Sequence, residues 1–538
     1  MRKMNQRNAR CSGLEARASE LVARISGLVL GITLVAPYAH AATCESLATL
    51  TLPQATVDTA QMVAAGAFAQ PGGRAGRGGN PFGNLPAFCR VALTAKPSSD
   101  SDIKIEVWLP ASAAASAQGS GAPGSGGTAG SGWNGKYQAV GNGAWTGTIG
   151  YAAMADALRR GYATSSTDTG HVGGSASFAM NHPEKAIDFA YRSEHEMVLK
   201  SKAIINAFYS SAPKYSYWNG CSAGGRQALK EAQMFPADFD GIIAGSPGAD
   251  WSGRSAQAVR IAAVLENEAA RLTPAHQQLL HNAVVAACDA LDGLKDGLIS
   301  NPASCKFDPK VLQCTNGDGP DCLSAAQVET VRAIYSPLKS GNREIAGLAY
   351  GSELNWTNLG WSQSARATGL DHYRYLVYND PEWQVSKFNP ETDPVKLEKG
   401  ESGQIDARNP DLKAFFGRGG KLLMYHGWAD PQISPFNATM YYEQVLKTSG
   451  GADKVNSSYR LFMAPGMAHC GGGEGPNDFD KVASLEQWVE QGKAPDQIVA
   501  SHSKEGNVDR TRPLCPFPQI AAYKGSGSID EAASFVCK

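Results

Sequence analysis

Short apolar runs alternate with longer amphipathic segments through much of the chain, and this alternation predicts its secondary structure. Apolar or β-branched runs of about four to eight residues indicate buried strands, and longer periodic segments indicate helices. The predicted strands are residues 103–109, 136–140, 161–167, 215–218, 239–245, 421–427 and 458–462, and the predicted helices are 184–209, 227–232 and 480–492. Strands that alternate with helices favour an α/β fold with a parallel sheet.

The alternation stops between residues 251 and 409. This stretch combines a helical segment, closely spaced cysteines and many aromatic residues, namely Trp356, Trp361, Tyr373, Tyr375, Tyr378, Trp383 and Phe388. We interpret it as an inserted lid domain. It divides an α/β domain into a first part, 42–250, and a second part, 410–538.

The N-terminus differs from the rest of the chain. Six basic residues precede an apolar run at 25–35, and Ala39-His40-Ala41 offers a small-x-small cleavage site. This pattern predicts a signal peptide over residues 1–41. The alternative is a buried N-terminal helix. Export predicts a secreted or periplasmic protein.

Composition narrows the possible partners. The chain has 538 residues, 43% of them hydrophobic, and a formal net charge of -1. This balance gives no support for nucleic-acid binding or for a membrane surface, and no internal apolar run approaches the ~20 residues of a membrane span. Two Gly-rich stretches, 71–83 and 111–132, are interpreted as surface loops. We expect a monomer.

Cysteine usage predicts a disulfide framework. Cys11 leaves with the leader, and ten cysteines remain, an even number that an oxidising compartment would pair. No Cys-x-x-Cys occurs, which argues against zinc ribbons. Sequence order suggests the local pairs Cys44–Cys89, Cys288–Cys305, Cys314–Cys322 and Cys515–Cys537, and leaves Cys221 and Cys470 for each other.

A nucleophile candidate lies between the strand at 215–218 and the helix at 227–232. The sequence Gly220-Cys221-Ser222-Ala223-Gly224 has the form Gly-x-Ser-x-Gly in a strand–turn–helix context. That context holds a serine in an exposed, strained turn. The pentapeptide alone is a weak signal in a Gly-, Ala- and Ser-rich chain, but its setting makes Ser222 the predicted nucleophile.

A serine nucleophile needs a base and a carboxylate that orients the base, in the chain order Ser, acid, His. Two histidines lie downstream of the strand at 421–427, and His469, in a loop after a strand, is favoured over His502 in a polar surface stretch. Asp430 follows the strand directly and is favoured over Asp453. We interpret His426, His171 and His195 as structural or supporting.

The acyl-transfer hypothesis also requires backbone donors for an oxyanion. One is Ala223, directly after the nucleophile, and a second is Gly143 or Ala144 in the loop after the strand at 136–140. The cysteine pairing points to the same geometry. If Ser222 and His469 touch, their neighbours Cys221 and Cys470 come within disulfide distance.

Residues 288–305 form a loop rich in carboxylates. Hard oxygen ligands on a tight loop suit Ca²⁺, although the spacing is not that of an EF-hand. The alternative is a solvated turn. The candidate ligands are the side chains of Asp289, Asp292 and Asp296.

These motifs together resemble the tannase and feruloyl esterase family. The likeness rests on Gly-Cys-Ser-x-Gly-Gly-Arg at 220–226, the His-Gly-x-x-Asp segment ending at Asp430, and His469-Cys470. Members include fungal feruloyl esterases, tannases and a bacterial hydrolase of mono(2-hydroxyethyl) terephthalate. The resemblance implies an α/β-hydrolase fold with a lid, the same disulfide, and a lid calcium with Leu294 and Leu298 as carbonyl donors.

The sequence therefore predicts a secreted serine carboxylesterase that acts on a small aromatic ester, with an aromatic-rich lid that stacks the acyl ring. Hydroxycinnamoyl or galloyl esters are favoured. A terephthalate monoester is the alternative, although Ile433, three positions after Asp430, is not a ring-clamping aromatic residue. A non-catalytic binding module on the same scaffold is the opposing hypothesis.

Overall fold

The structure is a computed structural model that describes residues 42–72, 80–111, 132–341, 343–358 and 368–538. The predicted signal peptide, the central parts of both Gly-rich loops and Trp361 lie outside these residues. Within the described ranges, no helix is both long and apolar enough to cross a membrane.

The strands are β1 (Ala55–Val63), β2 (Phe88–Ala95), β3 (Ile103–Pro110), β4 (Lys136–Val140), β5 (Ala163–Thr167), β6 (Tyr215–Cys221), β7 (Gly241–Gly245), β8 (Leu338–Ser340), β9 (Arg343–Ile345), β10 (Lys421–Gly427), β11 (Tyr459–Ala464), β12 (Ile498–Lys504), β13 (Asn507–Leu514), β14 (Ala521–Tyr523) and β15 (Phe535–Cys537).

The helices are α1 (Tyr151–Arg159), α2 (Pro183–Ile187), α3 (Ser193–Tyr209), α4 (Ala223–Met234), α5 (Trp251–Val264), α6 (Pro274–Cys288), α7 (Ala325–Tyr335), α8 (Asp393–Leu397), α9 (Gly400–Gln404), α10 (Lys413–Gly417), α11 (Phe436–Ser449), α12 (Ala452–Val455) and α13 (Lys481–Gln491). The described residues also include π-helical turns at Asp188–Arg192 and His372–Val377.

One large sheet organises the molecule, with the order β1-β2-β3-β5-β4-β6-β7-β10-β11. Within this sheet, β5, β4, β6, β7, β10 and β11 run parallel to one another. Strands β1, β2 and β3 extend the sheet in antiparallel fashion. The central strands β7 and β10 are buried almost throughout because helices cover both faces of the sheet. Parallel strands bring the loops after β4, β6, β7, β10 and β11 to one edge, which is where ligands bind in such sheets.

The predicted α/β fold is confirmed, and most boundaries agree closely. The strands at 136–140 and 421–427 match β4 and β10 residue for residue. The long helix predicted at 184–209 is confirmed as one continuous helical segment, in which the π-helical turn at Asp188–Arg192 joins α2 to α3. The prediction also missed β1 and β2.

Residues 251–409 lie in the connection between β7 and β10, which are neighbours in the sheet, and we call this stretch the insertion. It contains its own apolar clusters. Trp356 packs in one with helices α6 and α7, and Tyr373 and Trp383 pack in another with α5. These three aromatic side chains are almost fully buried. They form the core of the insertion, so they are not available to stack a substrate ring as predicted.

Candidate active site

Ser222 occupies the sharp turn between β6 and α4. Its backbone has φ 64° and ψ −120°, a strained conformation for a residue with a Cβ. The surrounding glycines allow this turn, since a Cβ on Gly220 would lie 2.5 Å from the carbonyl oxygen of Gly224 and one on Gly225 would lie 2.4 Å from that of Gly245. The Ser222 side chain is only partly buried, so its hydroxyl is accessible.

His469 lies in the loop after β11 and reaches Ser222 across the sheet edge. Its Nε2 is 2.9 Å from Ser222 Oγ, and its Nδ1 is 2.8 Å from Oδ2 of Asp430. The distances suit a chain in which the serine hydroxyl donates to Nε2 and Nδ1–H donates to the carboxylate. The structure therefore brings together the three residues that the sequence singled out.

Asp430 is fully buried after β10, and hydrogen bonds surround its carboxylate. Oδ1 accepts from the backbone amides of Gln432 and Ile433, and Oδ2 accepts from His469 and from Nε2 of His426 at 3.0 Å. Burial alone would raise the pKa of Asp430, but the charge of His469 and these hydrogen bonds hold that pKa well below its usual value. Asp430 is therefore a carboxylate near neutral pH.

The three other histidines considered do not touch Ser222. His426 hydrogen-bonds the Asp430 carboxylate, as just described. The spacing of four residues across one tight turn could have predicted that contact. His171 Nε2 lies 2.7 Å from the carbonyl oxygen of Trp145, and His195 lies 2.6 Å from Asp238. The alternative base His502 pairs with Asp509 on the β12–β13 hairpin.

All five predicted disulfides are present, which confirms the pairing. Cys221–Cys470 joins the residue before Ser222 to the residue after His469, with a Cα–Cα distance of 6.0 Å. The two cysteines are 249 positions apart in the chain, and the bond joins the loop after β6 to the loop after β11. It limits relative movement of the hydroxyl and the imidazole.

The candidate oxyanion loop packs directly against the start of α4. The carbonyl oxygen of Asn142 accepts from the Gly224 amide at 2.8 Å, and the Asn142 amide donates to the Gln227 side chain. Ala144 has φ 46°, which turns the loop back sharply. Among the residues that the structure describes, the amides of Ala223, Gly143 and Ala144 have no protein acceptor. Free backbone donors beside a nucleophile are what an oxyanion site requires.

A buried pair of tryptophan rings packs at the end of this loop. Trp145 and Trp251 meet edge to face with ring centroids 5.0 Å apart, and both belong to a buried cluster with Phe189 and Ala223. Sequence reasoning missed Trp251, because nothing in its local pattern distinguishes it from a core aromatic residue at the start of a helix.

The acidic loop of the insertion is ordered mainly by its own backbone. Asp289 accepts from the amides of Asp296 and Gly297, Asp292 accepts from that of Leu294, and Arg512 donates to Asp296 at 2.6 Å. The donor types suit a hard cation. However, the described residues contain no group of three His, Cys, Asp or Glu side chains that could hold a metal ion. The loop as folded is not a formed metal centre, and the calcium ligands stay a prediction.

Comparison with known proteins places this chain in a family. The family model "Tannase and feruloyl esterase" matches residues 128–538. An uncharacterised esterase of Xanthomonas campestris is 36% identical over 94% of this chain and 93% of its own. The crystal structure of feruloyl esterase B from Aspergillus oryzae is 31% identical, with a TM-score of 0.82 over 92% of this chain and 99% of its own.

A tannin acyl hydrolase from Aspergillus niger shares the fold, with a TM-score of 0.73, 22% identity and coverage of 91% of this chain and 92% of its own. The family match covers most of the chain, and the two closer similarities extend over nearly all of it. The chain therefore belongs to the tannase and feruloyl esterase family, a family of carboxylic ester hydrolases with the α/β-hydrolase fold.

Proposed function

We propose that this chain is a secreted serine esterase that cleaves esters of aromatic acids through an acyl-enzyme. The observation that carries the proposal is the continuous hydrogen-bonded chain from Ser222 through His469 to the buried carboxylate of Asp430. A non-catalytic binding module would have no need for this series of hydrogen bonds. Membership of an ester hydrolase family supports the same choice.

In the acylation step, His469 Nε2 takes the hydroxyl proton of Ser222 while Oγ attacks the ester carbonyl carbon. Asp430 keeps Nδ1 protonated and stabilises the imidazolium that forms. The amides of Ala223 and of Gly143 or Ala144 donate to the developing oxyanion. His469 then passes the proton to the leaving alcohol oxygen, which gives an ester of Ser222 with the aromatic acid.

In the deacylation step, a water molecule replaces the alcohol. His469 takes a proton from the water as its oxygen attacks the acyl carbon, and returns that proton to Ser222 Oγ as the acid leaves. The Cys221–Cys470 bond keeps the base loop in place through both steps.

Substrate class is proposed from the relatives. Feruloyl esterase B is the named activity of a solved structure that this chain resembles over nearly its full length. Hydroxycinnamoyl or galloyl esters are therefore the favoured substrates. The buried edge-to-face pair Trp145–Trp251 packs with Ala223 and supports the backbone beside Ser222 without being exposed to a substrate.

We also propose export to an oxidising compartment and a structural calcium ion. Five disulfides support export, because such bonds persist outside the reducing cytosol. Calcium would recruit Asp289, Asp292 and Asp296, and it would compete with Arg512 for the last of these. A monomer that binds neither nucleic acid nor membrane stays a prediction.

The calcium proposal is tested by thermal unfolding. Addition of calcium to chelator-treated protein is expected to raise Tm by several degrees, and Asp292→Asn should remove that shift. Asp308→Asn is the control, because Asp308 is exposed and pairs with Arg332 outside this loop. An unchanged Tm in the wild type would exclude a structural calcium ion.

Hydrolysis of methyl ferulate, methyl gallate and methyl 4-carboxybenzoate in parallel tests the esterase proposal. We expect turnover of at least one ester, and a loss of about 10⁴-fold or more in kcat for Ser222→Ala and His469→Ala. His502→Ala is the matched control, since His502 pairs with Asp509 away from Ser222. Equal loss in both histidine variants, or no turnover by the wild type, would overturn the proposal.

A further inference from the structure

The candidate oxyanion donors lie on two separate segments of the chain. Ala223 begins α4, whereas Gly143 and Ala144 lie in the loop between β4 and α1. Such donors stabilise an oxyanion only if they are held in place before the reaction, within about 0.5 Å of the productive geometry. The contacts that join this loop to α4 therefore bear directly on the proposed reaction.

Gln227, a fully buried residue of α4, joins the two segments through its side-chain amide. Its Oε1 accepts from the backbone amide of Asn142 at 2.9 Å, and its Nε2 donates to Asn142 Oδ1 at 3.1 Å. The amide of Gly224 donates to the carbonyl oxygen of Asn142 as well, at 2.8 Å. Three hydrogen bonds therefore tie α4 to Asn142, the residue directly before Gly143.

The surrounding partners allow each of these two side-chain amides only one orientation. The backbone amide of Asn142 can only donate, so the atom of Gln227 that faces it must be the oxygen. The side-chain nitrogen of Asn142 donates to the carbonyl oxygens of Thr148 and Thr167 at 2.9 and 2.8 Å, so its Oδ1 must face Gln227. Every polar atom of Asn142 therefore has a partner, and the residue is held on all sides.

Glu194 holds the Gln227 amide from the other side. Nε2 of Gln227 also donates to Oε1 of Glu194, and the hydroxyl of Ser193 donates to Oε2 of the same carboxyl group at 3.1 Å. Glu194 lies in the first turn of α3 and is almost fully buried. The side chains of Glu194, Gln227 and Asn142 therefore form one buried series of hydrogen bonds that ends beside Gly143.

The loop and the helix also meet backbone to backbone. A Cβ on Gly141 would lie 2.5 Å from the Cα of Gly224, so no side chain separates the two segments at this point. The other end of the loop is held by a different part of the chain, since the amide of Gly147 donates to the carbonyl oxygen of Gly173 at 2.7 Å. Gln227 therefore supplies the side-chain contacts between the start of the loop and α4.

We propose that Gln227 is a positioning residue for the oxyanion site, because it fixes Asn142 and hence the amides of Gly143 and Ala144 relative to that of Ala223. The inference rests on the proposed esterase function and adds a residue outside the series of proton-transfer groups. The oxyanion exists only after the nucleophile has attacked. Loss of these contacts should therefore weaken binding of the transition state, whereas binding of the ester itself should change little.

Gln227→Met tests the inference, because methionine has a similar length and makes none of these hydrogen bonds. For an ester that the wild type cleaves, we expect kcat to fall by about 10- to 100-fold while KM changes by less than about threefold. Phenylboronic acid provides a second measurement, since its tetrahedral adduct with Ser222 places a boron oxygen at the oxyanion position. Its inhibition constant should rise by a factor similar to the loss in kcat.

Gln233→Met is the matched control on the same helix. Gln233 donates to the carbonyl oxygen of Ala407 and to the hydroxyl of Tyr441, away from the loop after β4. Its replacement should change kcat and the inhibition constant by less than about threefold.

A purely structural role for Gln227 predicts a different result. A less stable variant contains fewer folded molecules, which lowers kcat but leaves KM and the inhibition constant unchanged. That result, or an unchanged kcat, would overturn the inference.

If Gln227→Met does not fold, Gln227→Glu decides, alone and combined with Glu194→Gln. The single change brings two carboxyl groups together, and the second change restores a donor between them. The double variant should therefore regain part of both kcat and inhibitor binding, and equal values in the two variants would overturn the inference. A wild type that cleaves no ester refutes the esterase proposal itself, which is a distinguishable outcome.

Discussion

A buried histidine ties the insertion to the loop that carries the candidate base. His281, on α6, places Nδ1 2.8 Å from Glu353 and Nε2 3.0 Å from Glu474. Glu474 follows His469 by five residues in the same loop. We expect His281→Gln to weaken this connection, because glutamine can hydrogen-bond but cannot carry the positive charge.

The magnitude follows from the protonation of His281. Burial alone would lower its pKa, but hydrogen bonds to Glu353 and Glu474 outweigh burial and raise the pKa to about 9. An unfolded histidine has a pKa of about 6.5. Because the folded value is the higher one, the stabilisation is complete below pH ~6.5 and disappears as the pH rises through about 9.

The difference between these pKa values is worth ~3 kcal/mol at most, and about 2 kcal/mol of it is present at pH 7.5. The side chain of Glu474 is 56% exposed, so solvent screening reduces the contribution of that contact. We therefore expect His281→Gln to lower the free energy of unfolding by ~1–2 kcal/mol at pH 7.5 and by a few tenths at pH 9.5.

Urea unfolding of wild type and variant at these two pH values measures the difference. His276→Gln is the matched control on the same helix, since His276 contacts Thr273, Gln327 and the Gly319 carbonyl oxygen. Its effect should be the same at both pH values. If His281→Gln also shows a pH-independent difference, His281 is not a charged bridge and the reasoning is wrong.

Three further predictions concern the catalytic loops. Replacing Cys221 and Cys470 by serine should cost up to ~5 kcal/mol by loop entropy and lower kcat, so an unchanged Tm and kcat would show that the bond is dispensable. Asp430→Asn should reduce kcat by about 10⁴-fold at an unchanged fold, and a loss below tenfold in a steady-state assay would exclude it as the orienting carboxylate. Gly225→Ala should abolish soluble expression, because its Cβ would lie 2.4 Å from a β7 carbonyl oxygen, whereas Gly143→Ala meets no atom within 4 Å and should fold normally; equal yields of the two variants would contradict this.

The parts of the site that local sequence predicts are those fixed by chain order along a parallel sheet. Ser222, Asp430 and His469 each follow a strand, and parallel strands present their carboxyl ends at one edge. Their meeting therefore needed no knowledge of long-range packing. The pairing of Cys221 with Cys470 added an independent constraint on the same two loops.

Elements whose pattern is mixed were harder to predict. Strand β1 has one buried residue in nine, Val57, so its sequence lacks the apolar run that marks the central strands. Its stability comes from pairing with β2 at the sheet edge. The prediction that the aromatic residues of the insertion stack a substrate ring failed for a related reason. Composition shows that aromatic side chains are present, but only packing shows that Tyr373 and Trp383 stack on each other at 5.1 Å.

His281 shows why charge partners in the insertion escape sequence reasoning altogether. It pairs with residues 72 and 193 positions away, and neither contact leaves a mark on the neighbouring sequence. The loops at the sheet edge contain every group that the proposed acyl transfer needs, whereas the charge of His281 comes from a helix of the insertion. Substitutions at Ser222 or His469 should therefore change kcat, whereas His281→Gln should change the free energy of unfolding and its dependence on pH. Measurement of both quantities for each variant separates these two effects directly.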